Sequence, residues 1–168
     1  MPRLMSFPRT VKAVVFDMDG LIFDTEAVFR TAMLIAGGEH GIDIPHSFYA
    51  SLIGLTADHG NDLVRAQFGA DFPSEALFER SHVHFRRLLQ TELRLKPGVM
   101  ELLDLLEQQK IPRAIATSSK RASVDHHLGH FDLADRFNAV VAHGDYPHGK
   151  PHPAPYLQAA RVLSSAEN

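Results

Sequence analysis

Short apolar runs alternate along the chain with longer stretches whose apolar residues recur at helical period. Residues 12–17 (KAVVFD), 113–117 (RAIAT) and 138–142 (NAVVA) have the length and unbroken apolarity of strands covered on both faces of a parallel sheet. Between the first two lies PGVMELLDLLEQQK, residues 97–110, with proline at its start and Val99, Leu102, Leu103 and Leu106 on one face, which predicts a helix. A further helix near residues 123–130 separates the second run from the third, and another begins near Pro155. The order βαβαβ predicts an α/β fold with a parallel sheet covered by helices.

The spacing of these elements is uneven. A crossover between parallel strands needs only a dozen or so residues, yet roughly 95 separate Asp17 from Arg113. The excess has helical texture throughout, in EAVFRTAMLIA, ADHGNDLVRAQFG and SEALFERSHVHFRRLLQTEL, with breaks expected at GGEHGIDIP and GADFP. This predicts a discontinuous α/β core at residues 11–24 and 94–168, interrupted by a small all-helical subdomain at residues 25–93. Internal repeats and low-complexity segments are absent from the sequence.

Composition narrows the function classes. The 168 residues are 45% apolar, enough for one soluble domain with a hydrophobic centre. A net charge of -3, with 17 basic and 20 acidic residues interspersed, offers no basic stripe for a phosphate backbone, so nucleic acid is not an expected partner. No cysteine is present, which removes disulfides and thiolate metal sites. The stretch MPRLMSFPRT lacks a signal-peptide core, and no apolar run is long enough to span a bilayer. The expected setting is the cytoplasm, without a membrane partner.

The chemistry concentrates where the apolar runs end. In open α/β sheets, ligands collect at the carboxyl ends of strands. Here the first run delivers Asp17 and Asp19, the second Thr117, Ser118 and Ser119, and the third leads into HGDYPHGKP. If strand geometry persists, Asp17 and Asp19 share a face, and Gly20 lets the backbone turn beside them. Two adjacent carboxylates repel unless a cation is near, and Mg²⁺ suits an all-oxygen site that meets a phosphate. Taken alone, Asp17 and Asp19 also suit an ordinary polar turn, Lys150 a solvated surface, and Thr117 with Ser118 a helix cap. The 11 histidines, including the i, i+4 pairs His126/His130 and His148/His152, lack the H-E-x-x-H arrangement of a zinc site and read as surface or packing residues.

Taken together, these segments resemble the haloacid dehalogenase superfamily of phosphohydrolases. Its first motif, a strand ending in DxDG(L/V)(L/I)xD(T/S), is matched by Asp17, Asp19, Gly20, Leu21, Ile22, Asp24 and Thr25. The Ser or Thr of its second motif is matched by Thr117 in IATSS, and the lysine of its third by Lys150 in GKPHP. The helical insertion sits where the family carries a cap, and the segments look most like the sugar-phosphate phosphatase and β-phosphoglucomutase branch. The resemblance implies a Rossmann-like core and a small phosphorylated metabolite as substrate. It implies Asp17 as nucleophile, forming an aspartyl-phosphate, and Asp19 as general acid and base. It further implies that Thr117, Ser118 and Lys150 bind phosphate, with Mg²⁺ held by Asp17 and the Asp19 carbonyl.

The sequence departs from the family in two places. Its fourth motif, an acidic pair that completes the Mg²⁺ site, is not found after Lys150, and Ala154 stands where an acidic residue is usual. The expectation is a shortened chain with weakened metal binding and an uncovered strand edge open to self-association. Phosphoryl transfer of the mutase type, or a phosphate-binding protein without catalysis, are the alternative functions. Asp24 and Glu26 are expected to start the inserted helix. Gly54, Leu55, Thr56, His59 and Asn61 suit either substrate contact or a solvated loop.

Overall fold

A computed structural model describes residues 10–165. The stretch 1–9, read above for a leader, and residues 166–168 lie outside them. The chain forms two compact units, one from the segments up to Phe23 and from Leu95 onward, the other from Asp24–Arg94.

The first unit is an α/β layer structure. Three parallel strands, β1 (Val14–Phe16), β2 (Arg113–Lys120) and β3 (Ala139–His143), lie in the order β1-β2-β3. Val14 pairs with Arg113 and Phe16 with Ile115, while Ile115 pairs with Val140 on its other side. The central strand is buried from Arg113 to Thr117, as its unbroken apolar run predicts. In β1 only Phe16 is buried, because among the described residues β1 pairs on one side alone.

Helices α5 (Val99–Gln108), α6 (Arg121–His130) and α7 (Ala154–Ser165) belong to the same unit. Helix α7 packs on the sheet through Ala159 and Leu163, which join Ala114, Ala116 and Val141 in one apolar cluster. Small side chains on both sides let the helix lie close to the strands. Helix α5 buries Val99, Leu103 and Leu106 but leaves Leu102 exposed, narrowing the face expected from sequence. At the opposite end from the candidate chemistry, the Arg113 side chain is buried and pairs with Glu107, which also receives Arg136.

The second unit is all helical: α1 (Thr25–Glu39), α2 (His46–Leu52), α3 (Ala57–Phe68) and α4 (Ser74–Leu88). Its core joins Met33, Ala36, Ile44, Tyr49, Val64 and Leu77. Aromatic edges reinforce it, with Phe29 and Phe85 5.4 Å apart and Phe48 and Phe68 5.2 Å apart. Helix α1 begins one residue after Asp24, as expected. It does not break at the Gly37-Gly38 pair but continues to Glu39. Packing explains the difference: a side chain at Gly37 would meet Ile44 Cδ1 at 2.8 Å, so the glycine gives a core residue its space. Helix α2 had no clear sequence signal; it is short and buries only Tyr49.

Candidate active site at the strand ends

The end of β1 organises the site through its backbone. The strand stops at Phe16, and the chain enters a turn in which Ile22 N and Phe23 N both donate to Met18 O. Gly20 N donates to Phe23 O at 2.8 Å, and the Gly20 φ of 74° explains why glycine occupies the position. Met18, Ile22 and Phe23 anchor the turn, each wholly or almost wholly buried. Leu95 bridges to Phe23 and Lys96 N donates to Ile22 O, so the returning chain ties the turn down. Strand geometry therefore does not continue through Asp17 and Asp19, and the two carboxylates take different partners.

Asp17 is met by Lys150. The Lys150 ammonium donates to Asp17 Oδ1 at 2.7 Å, and the same oxygen accepts from Met18 N at 2.7 Å. The ammonium also lies 5.0 Å from the centroid of the Tyr156 ring. Partial burial works to lower the Lys150 pKa, but hydrogen bonding to Asp17 and a contribution from Tyr156 outweigh it and raise the value. Lys150 is thus a fixed positive charge at the end of β1, carried by the segment after β3.

Asp19 is met by β2. Ser119 Oγ donates to Asp19 Oδ2 at 2.6 Å, and Thr117 Oγ1 lies 3.5 Å from the same oxygen. The Thr117 side chain is fully buried and accepts from Ser119 N at 3.0 Å, while the Thr117 carbonyl accepts from Tyr146 Oη at 3.0 Å. Ser118 is exposed, so the serine that reaches the acidic turn is its neighbour. Neither Thr117 nor Ser118 caps α6, whose N-cap position is Lys120. The loop after β3 is held by Asp145, which accepts from Ala142 N at 2.8 Å and pairs with Arg121 at 2.6 Å.

Of the residues singled out from sequence, the fold brings Asp17, Asp19, Thr117 and Lys150 together at one end of the sheet, with Ser118 exposed beside them. Ser119, delivered by the same run as Thr117 but given no role, joins them, while Tyr146, Tyr156 and the Arg121–Asp145 pair were not anticipated. Only Ser119 carried a usable signal, since residues two apart on a strand share a face and Ser119 follows Thr117 by two. Within the helical unit, Thr56 caps α3 by accepting from His59 N, and Asn61 Oδ1 is buried without a partner among the described residues.

The donors at the end of β1 are hard oxygens, which fit Mg²⁺ by chemical type. Among the described residues, no set of three His, Asp or Glu side chains gathers to hold an ion, so Asp17 and Asp19 would share it with backbone carbonyls, solvent or substrate. His127 is buried, and burial lowers its pKa; its ring packs on Phe23 at 5.5 Å, and Nδ1 has no partner among the described residues. His148 and His152 face one another at 4.8 Å. No helix among the described residues is long and apolar enough to cross a membrane.

Comparison with known proteins converges on one family. The sequence profile of haloacid dehalogenase-like hydrolases matches residues 11–168. The chain is 34% identical over 161 residues to hexitol phosphatase B of Escherichia coli, covering 95% of this chain and 72% of that protein. It is 27% identical over 154 residues to the phosphorylated carbohydrates phosphatase of Thermotoga maritima, covering 92% and 71% respectively. Among solved structures, the β-phosphoglucomutase of Clostridium difficile is similar with a TM-score of 0.59 at 26% identity, over 92% of this chain and 72% of that one. With its motif residues assembled at the ends of a parallel sheet and the profile match running from the first strand onward, the chain belongs to the haloacid dehalogenase-like hydrolases.

Proposed function

We propose that the protein is a Mg²⁺-dependent phosphatase of small phosphorylated sugars or sugar alcohols, working through an aspartyl-phosphate. The observation that carries this reading is the convergence of Asp17, Asp19, Thr117 and Lys150 at the strand ends, with Lys150 Nζ 2.7 Å from Asp17 Oδ1. The phosphatases named for hexitols and phosphorylated carbohydrates support the substrate class.

In this reading an Asp17 carboxylate oxygen attacks phosphorus in line. An O–P bond forms to Asp17 as the ester P–O bond breaks, and Asp19 gives its proton to the departing sugar oxygen. Water then attacks phosphorus, returns a proton to Asp19 and releases phosphate with the Asp17 carboxylate restored. Thr117, Ser118 and Lys150 bind the phosphoryl oxygens, and Lys150 offsets the negative charge that accumulates there. An Asp17 oxygen and the Asp19 backbone carbonyl would hold Mg²⁺, which when bound neutralises phosphoryl charge. The unit Asp24–Arg94 corresponds in this reading to the family's helical cap. A cytoplasmic setting goes with it, as does a cysteine-free chain.

Phosphate release from hexitol and hexose monophosphates, with and without Mg²⁺, tests the proposal. Release that requires Mg²⁺ and vanishes in Asp17→Asn is expected; equal release by the variant, or silence of both proteins, rejects it. Similarity to a β-phosphoglucomutase favours one second reading, in which the phosphoryl group returns to a sugar. Conversion of a hexose 1-phosphate to the 6-phosphate without phosphate release would identify it.

A further inference from the structure

We infer that Ser119 is a positioning residue for Asp19: its hydroxyl fixes one carboxylate oxygen so that the other is presented to the bridging oxygen of a phosphate ester. The inference rests on the reading above, in which Asp19 moves the proton.

The backbone around Asp19 is held by the hydrogen bonds of its turn, but those bonds leave the carboxylate free to rotate. The terminal torsion of an aspartate is broad and has no strong intrinsic minimum. A group that must give a proton to the leaving oxygen and then take one from water needs the same oxygen aimed at the same place twice. Ser119 supplies the missing constraint by donating to Oδ2 at 2.6 Å. Thr117 Oγ1 approaches that same oxygen at 3.5 Å, whereas Oδ1 has no partner among the described residues. One oxygen is occupied and the other remains available.

The donor is itself braced. Ser119 N donates to Thr117 Oγ1, whose side chain is fully buried. Strand β2 shifts register between Ala116 and Lys120, yet it is paired at both ends of the irregular stretch, Ala116 with Val141 and Lys120 with His143. Ser119 thus lies on a segment pinned on either side, on the face that Thr117 also presents to Asp19. A serine that only bound phosphoryl oxygens would have no need of this contact with Asp19.

Leaving-group chemistry separates the two roles. A hexitol alkoxide must be protonated as it departs, whereas the p-nitrophenolate of p-nitrophenyl phosphate leaves without help. Steady-state kinetics of the full chain should therefore be compared on both esters for wild type, Ser119→Ala and Ser119→Thr. For Ser119→Ala we expect kcat/KM, which covers only the steps through transfer to Asp17 and leaves out the hydrolysis that both esters share, to fall about 10- to 100-fold on the hexitol phosphate and less than about threefold on p-nitrophenyl phosphate. Ser119→Thr, which keeps the hydroxyl, should recover most of the loss. Equal losses of kcat/KM on both esters would assign Ser119 to phosphate binding, and no loss on either would leave it without a role in the chemistry; both results overturn the inference alone. A wild type silent on both esters would remove the phosphatase reading and this inference with it.

Discussion

Lys150 Nζ lies 2.7 Å from Asp17 Oδ1, joining the segment after β3 to the end of β1. The two side chains are 23% and 39% exposed, so the pair is neither buried nor freely solvated. Its stabilising value is accordingly modest, and in the proposed reaction it places a cation where phosphoryl charge gathers.

Replacing Lys150 by Ala should therefore cost far more activity than stability. A fall in kcat of about 10²- to 10³-fold on a hexitol phosphate is expected, with a small change in thermal midpoint. Lys150→Arg should recover only part, because the planar guanidinium does not reproduce a compact ammonium. A Lys150→Ala protein that keeps wild-type kcat would exclude Lys150 from the chemistry.

Tyr146 donates to the Thr117 carbonyl at 3.0 Å. Tyr146→Phe removes that donor while preserving the ring, which packs against the cluster of Ala114, Val141 and Leu163. A loss of about 1 kcal/mol in urea unfolding is expected, the usual net value of one such bond. An unchanged midpoint would show that solvent satisfies the carbonyl equally well.

The adjacent glycines of α1 should respond in opposite directions. Nothing lies within 4 Å of a side chain added at Gly38, so Gly38→Ala should stabilise by about 0.5–1 kcal/mol through helix propensity. At Gly37 the same methyl meets Ile44 at 2.8 and 2.9 Å and Ile42 O at 3.3 Å, and Ile44 is itself a core residue. Gly37→Ala should destabilise by about 1–3 kcal/mol. Equal effects of the two substitutions in chemical denaturation would contradict this packing account.

Glu39 links α1 to α4 by accepting from Arg80 and His84. These hydrogen bonds, Arg80 first, hold its carboxyl at about 2 instead of the usual 4.5. Since the folded-state value lies below the unfolded one, the contribution is complete above about 4.5 and is lost as pH falls through about 2. The thermal midpoints of wild type and Glu39→Gln should differ most above that window and converge within it. A gap that stays constant from pH 5 to about pH 2 would mean that this carboxylate's ionisation does not stabilise the fold.

Much of the core could be read from sequence because its signals are local. RAIAT is buried as part of β2; Asp17 follows β1, Thr117 lies in the C-terminal half of β2 and Lys150 in the segment after β3, where an open sheet places its chemistry. What escaped depends on contacts between distant residues. That the Ser119 hydroxyl reaches Asp19 is a contact between residues 100 apart in the chain, which the face it shares with Thr117 does not specify. The glycine pair reads as a helix stop by propensity, but Ile44 fills the space that Gly37 leaves open. Propensity was outweighed by packing there, and β1, which pairs with β2 alone among the described residues, has one edge without a neighbouring strand.

The order β1-β2-β3 also bears on how the protein is born. Asp17 is synthesised early, the hydroxyls that meet Asp19 come much later, and Lys150 emerges last of the group. The intervening chain can fold as its own helical unit while Asp17 still lacks its counter-charge. In the proposed reaction, the Asp17 carboxylate therefore acquires its counter-charge only once the segment after β3 has docked.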